Sequence, residues 1–213
     1  DTDSAVSALA SELASEFESQ QFLTSPGLRL NRESLDPVLR HDKRNPVVRD
    51  DCDGVVFEDE LLALGAVTCA SFFAKPSGQW DAAIEGFNQA GIALAREIEN
   101  QGGNVKRIST AKGCVSGNFD SATLADAWLA SGADCVEQLG SVEKAWAVWK
   151  SDMDAIFVGS KPGAMSGDGA QGVQQTPIIA TSAAAVSSKA LAILRKNNTP
   201  VAADFLSGIG PTL

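Results

Sequence analysis

Residues 57–98 read FEDELLALGAVTCASFFAKPSGQWDAAIEGFNQAGIALAREI, and the reading of this stretch decides the fold expected for the whole chain. Phe57, Leu61 and Leu64 recur at helical spacing, Val67–Phe73 is an unbroken apolar run of strand character, and Ala82–Ile84 is a second short apolar run before a small-residue helix near Ala90–Glu99. Between the runs, Lys75-Pro76-Ser77-Gly78-Gln79 has turn chemistry. Proline presets φ and gives up its N–H, and glycine supplies positive φ. The stretch therefore predicts helix, strand, hairpin, strand, helix.

The chain repeats this order further on. Val142, Trp146, Trp149 and Met153 share a helical face, Ala155–Val158 is an apolar strand, and Lys161-Pro162-Gly163 repeats the Lys-Pro turn. Ile178–Ala180 then supplies the second strand, and a small-residue helix runs near Ala184–Arg195. The second hairpin is longer and glycine-rich, with Ser166, Gly167, Asp168 and Gly169 at its centre. The expected fold class is α+β, a tandem repeat of helix-strand-hairpin-strand-helix units preceded by an N-terminal amphipathic helix. The expected domains are residues 1–49 (helix and basic linker), 50–108 (first unit) and 109–213 (second unit).

Between the units, Val105–Ser109 reads as a strand, Cys114–Asn118 as a turn region, residues 121–131 as a short helix and Cys135–Leu139 as a strand. Ahead of them, Val6, Leu9, Leu13 and Phe17 form one apolar stripe on a helix over residues 3–22. Residues 28–50 carry Arg29, Arg32, Arg40, Lys43, Arg44 and Arg49 among four acids, which reads as a solvated connecting segment with ion pairs. The Asp50-Asp51-Cys52-Asp53 run lacks the alternating spacing of a calcium loop, and helix-start acids explain it, so no metal site is expected.

The 213 residues carry a formal net charge of −10, which argues against a basic nucleic-acid-binding surface. One histidine excludes chemistry that needs two. The four cysteines, Cys52, Cys69, Cys114 and Cys135, have no C-x-x-C spacing, and free thiols are expected over two disulfides. No stretch has the length of a membrane span. The sequence begins at Asp1 without Met, as a processed or trimmed form would, so a cytoplasmic location is expected with export as the alternative.

No catalytic constellation is legible. There is no Walker loop, no G-x-S-x-G, no H-E-x-x-H and no G-x-G-x-x-G opening a helix after a strand. The glycines after Lys161 are followed by a strand rather than a helix, so a phosphate loop is not expected there. A binding or structural role is favoured over an enzyme, with no catalytic residue and no cofactor assigned.

Asp51-Cys52-Asp53-Gly54-Val55 leading into a Glu-rich helix, Ala74–Gly78 in the place of a pore hairpin, and Pro177–Ser182 before an alanine-rich helix resemble the shell proteins of bacterial microcompartments, in particular their tandem-domain, trimer-forming class. That resemblance implies a self-assembling structural tile with pores for small metabolites. Lys75, Pro76, Ser77, Gly78 and Gln79 would line one opening. Lys161, Pro162, Gly163, Ser166, Gly167, Asp168 and Gly169 would line or gate another. The implied partner is a second and third copy of the chain, with a partner chain on the N-terminal helix as the alternative. Two other readings stand beside it: a periplasmic-type solute-binding lobe, suggested by LGSVEKAWAVWKSDMDAIFVGS (residues 139–160), and an accessory subunit of a larger assembly.

Overall fold

The computed structural model describes residues 51–52, 55–74, 78–150 and 152–208, together with Ser4 and Ala8. The expected N-terminal helix, the basic linker and Lys75-Pro76-Ser77 otherwise lie outside the described residues, as do the side chains of the Asp50–Asp53 run. The contacts divide the chain into residues 1–50 and residues 51–213, and every helix and strand named below belongs to the second unit.

A two-residue pair, β1 (Asp51–Cys52) and β2 (Val55–Val56), leads into α1 (Phe57–Ala74). Then follow β3 (Trp80–Glu85), α2 (Gln89–Asn100), β4 (Gly103–Thr110), β5 (Gly113–Phe119) and α3 (Ser121–Ser131). The chain continues through α4 (Cys135–Leu139), a 3-10 turn at Ala145–Trp149, β6 (Ala155–Val158) and α5 (Gly167–Gln171). It closes with β7 (Ile178–Ala180), α6 (Ser188–Lys196), β8 (Val201–Ala202) and α7 (Asp204–Ser207).

Six strands form one sheet in the order β5-β4-β3-β6-β7-β8. Every neighbouring pair is parallel except β4 with β5. The chain starts at the centre, builds outward through β4 and β5, then crosses back and builds the other half through β6, β7 and β8. This is the doubly wound order of the Rossmann type, whose ligand crevice opens between the two halves at the carboxyl ends of the central strands. Parallel strands covered on both faces are buried throughout. All four residues of β6 and all three of β7 are buried.

The two faces hold separate cores. Trp80, Ala82, Ile84, Phe157 and Ile179 face α1, α2 and α3, while Ala83, Ile156, Val158, Ile178 and Ala180 face the 3-10 turn, α5 and α6. Successive strand residues alternate between these layers, as the pleat requires.

This architecture overturns the tandem α+β repeat. Strands assigned to different units hydrogen-bond to one another, with Ala82 opposite Ala155 and Ile84 opposite Phe157 in parallel register. The expected strand over Val67–Phe73 is the second half of α1, because no breaker interrupts the apolar run. Its Ala63, Ala66, Val67 and Ala70 pack into the core at helical spacing. Cys135–Leu139 is helical rather than extended, and the expected turn at Cys114–Asn118 lies inside β5. The expected helix through Val142–Met153 is reduced to the turn at Ala145–Trp149. Glu143 is held extended by paired backbone bonds to Cys114 (2.7 and 2.9 Å), which a helix would forgo.

Candidate functional site

The crevice between β3 and β6 is built first by the turn Glu85-Gly86-Phe87-Asn88-Gln89-Ala90-Gly91. Gly86 has φ +74, and a Cβ there would lie 2.3 Å from the Ser160 Cβ, so both conformation and space require glycine. The Phe87 N–H donates to the Ser109 carbonyl at 2.7 Å, tying the turn to the end of β4. Gly91 sits under Phe87, where a Cβ would come within 2.7 Å of the ring. Phe87 itself is buried and meets Trp128 edge-on at 6.0 Å.

Asn88 is the N-cap of α2, and its Oδ1 accepts from the Gly91 N–H at 3.1 Å. The N–H groups of Gln89 and Ala90 in the first turn have no acceptor among the described residues. The other wall is the loop after β6. The Glu85 carboxylate reaches across the crevice and accepts from the Gly159 N–H (3.2 Å), the Ser160 N–H (3.1 Å) and the Ser160 hydroxyl (2.5 Å).

A strand, a positive-φ glycine, a second glycine five residues on and a helix follow the order of the G-x-G-x-x-G turn, with Asn88 in place of the middle glycine. With that substitution the stretch does not match G-x-G-x-x-G as a sequence pattern. The strand at Ala82–Ile84 followed by Gly86 and Gly91 was the signal that could have revealed it. The strand-end acid that takes the ribose hydroxyls in such sites is also replaced. Thr110 ends β4, is buried, and donates its hydroxyl to the Ala133 carbonyl at 2.7 Å. Lys112 beside it pairs with Asp134 at 2.8 Å, and the hydrogen bond to Asp134 raises its pKa.

The described residues expected to line the two openings lie in different parts of the sheet. Gly78 and Gln79 precede the amino end of β3, roughly 20 Å from Glu85 along the strand. Lys161, Pro162 and Gly163 follow the carboxyl end of β6, which runs parallel to β3, so they stand at the opposite edge of the sheet from Gly78 and Gln79. Ser166 caps α5, whose first turn holds Gly167, Asp168 and Gly169. Of the cysteines, Cys69, Cys114 and Cys135 are free thiols, and burial pushes Cys114 up to about 11.

No protein-family model and no curated protein matches the sequence. Solved structures do match the fold. The hetero-hexameric glutamate dehydrogenase from Thermus thermophilus superposes with a TM-score of 0.72 at 18% identity, over 97% of this chain and 53% of that one. Glutamate dehydrogenase from Plasmodium falciparum gives 0.69 at 12% identity, over 97% and 50%. L-tryptophan dehydrogenase from Nostoc punctiforme gives 0.59 at 12% identity, over 100% and 57%. The chain spans about half the length of these structures. At such identities the likeness is one of fold, and it corrects the resemblance to microcompartment shell proteins. The structural tile, its pores and its small-metabolite traffic go with that resemblance. Among the described residues, no helix is long and apolar enough to cross a membrane.

Proposed function

We propose that this chain is the nucleotide-binding half of an amino-acid-dehydrogenase-type oxidoreductase, and that the Gly86–Gly91 turn seats the pyrophosphate of a nicotinamide dinucleotide. The observation that carries the reading is Gly86 at φ +74, pressed against Ser160 where the strand order reverses and directly followed by a 12-residue helix. The residues fit the group. The Gln89 and Ala90 N–H groups and the helix dipole favour a phosphate. With the Asn88 Oδ1 committed to Gly91, its Nδ2 is left as a further donor.

The dinucleotide supplies hydride transfer when bound. This chain's residues bind and orient: the turn holds the anion, and Glu85 fixes the Gly159–Ser160 loop beside it. Thr110 stands where a strand-end carboxylate would, and its hydroxyl is taken up by the Ala133 carbonyl and the Lys112 N–H, so the pyrophosphate seat carries more of the recognition than it would beside a strand-end acid. Self-association belongs to the reading, as the Thermus protein is hetero-hexameric by description, and light scattering giving a mass above 22.1 kDa is expected. Three free thiols suit a reducing compartment such as the cytoplasm.

Isothermal titration with NAD and NADP in both redox states tests the seat. Saturable binding of at least one is expected. Asn88→Asp keeps the cap but places a negative charge at the anion seat, and should weaken binding about tenfold. Binding of none of the four, or binding indifferent to Asn88→Asp, would overturn the proposal.

A further inference from the structure

On the opposite face of the sheet from α2, a cavity of about 450 Å³ opens between the 3-10 turn and α5. It belongs to no part of the dinucleotide crevice. Trp146 and Trp149 line it together with Lys150, Ser166, Asp168 and Gly169. In a 3-10 turn, side chains three apart eclipse one another, so residues 146 and 149 stand on one side. Ala147 and Val148 between them are buried, which anchors the turn and leaves the indoles to the cavity.

Gly169 lies against the Trp149 ring, and a Cβ there would come 3.1 Å from the indole Nε1. The glycine holds the cavity wall flat at that point. Trp146 is 63% exposed, a large apolar surface to leave in water.

The charges decide what this surface suits. The Lys150 ammonium is held by Glu143 at 2.7 Å, so the pair is neutral. Asp168 is exposed and has no ion-pair partner among the described residues. The Ser166 hydroxyl accepts from the Gly169 N–H and keeps its own hydrogen for a further acceptor. The Lys189 stem lies against neighbouring Gly167 without an ion pair to Asp168 among the described residues. Two indoles and a carboxylate outside any such pair attract a cation, through the negative ring faces and through direct charge. The net charge of −10 on the whole chain acts in the same direction.

We infer that this cavity binds a small organic cation, with its ammonium group against the indoles of Trp146 and Trp149 and Asp168 as its counter-charge. Ser166, Asp168 and Gly169, which the sequence placed at the centre of a glycine-rich loop, then serve one site with tryptophans that the same sequence had assigned to a helix.

Choline and its uncharged isostere 3,3-dimethylbutan-1-ol are the probes, titrated into the full chain while tryptophan emission and the indole N–H resonances are followed. Saturable choline binding is expected, with the alcohol about tenfold weaker. Trp146→Ala and Asp168→Asn, both exposed positions, should each weaken choline at least about fivefold with unchanged circular dichroism. Equal response to the two probes, a choline response that does not saturate, or variants that bind like the parent would overturn the inference. Dinucleotide binding is measured separately and decides only the other site.

Discussion

Glu85 and Ser160 face each other across the centre of the sheet, with the serine hydroxyl 2.5 Å from one carboxylate oxygen and two backbone N–H groups of the β6 loop on the other. Three donors on one carboxylate couple the end of β3 to the loop that forms the far wall of the crevice. Glu85→Ala should cost about 1–2 kcal/mol and speed hydrogen exchange at the Gly159 and Ser160 amides, with the rest of β6 unaffected. Unchanged exchange at those two amides would show that the carboxylate does not hold the loop.

Gly86 and Gly102 offer a matched comparison. Their φ values are +74 and +77, but a Cβ on Gly86 strikes Ser160 whereas one on Gly102 meets nothing within 4 Å. Gly102→Ala should cost about 1 kcal/mol, the strain of the left-handed conformation alone. Gly86→Ala adds a clash with backbone and should cost about 3 kcal/mol or more. Chemical denaturation of both variants measures the difference, and equal losses would mean the crevice walls are not in contact.

Arg107 is a buried cation whose side chain is 5% exposed, and it holds Asp152 through two bonds of 2.7 and 2.9 Å. Its Nε also donates to the Ser116 hydroxyl at 3.2 Å, so one side chain ties β4, β5 and the entry to β6 together. The hydrogen bond from Arg107 holds the Asp152 carboxyl below its usual range. A depressed folded value means the unfolded chain binds the proton more tightly. The contribution of the pair is therefore complete above the ordinary carboxylate pKa of about 4 and is lost as pH falls through the folded value. Asp152→Asn should remove that acid-side loss. It should also cost about 2–3 kcal/mol at neutral pH, less than the roughly 3–5 of a fully enclosed pair, since the carboxylate is open to water. Melting curves from pH 3 to 7 read both effects.

The tryptophans separate core from surface. Trp80 is 2% exposed and packs over Gly103, where a Cβ would lie 2.5 Å from its ring. Trp80→Ala should cost about 3–5 kcal/mol. Trp146, placed by its spacing on the apolar face of a helix, stands 63% exposed in the open cavity instead, and Trp146→Ala should change stability by less than about 0.5 kcal/mol. A large loss at Trp146 would show that its side chain is covered.

Local physics was legible along the chain. The helix over residues 121–131, the short strands near Ala82–Ile84, Ala155–Val158 and Ile178–Ala180, and the turn at Gly163 all follow from spacing and from proline or glycine chemistry, and the structure has them. Two things were not legible. An apolar run such as Val67–Phe73 carries no period that tells a buried helix from a buried strand, and only its packing under the sheet made it helical. Strand pairing is not local at all. Ala82–Ile84 lies beside Ala155–Phe157 through hydrogen bonds formed some seventy residues apart, and parallel strands buried on both faces show no alternation from which a partner could be read. The sequence by itself determined where the chain turns and which short runs are apolar. Tertiary structure decided that those runs share one mostly parallel sheet, and with it that Gly86 and Gly91, with Asn88 among the four residues between them, form a turn at the crevice. Backbone hydrogen bonding and the close approach of Ser160 select that arrangement, and neither is written in any one stretch of residues.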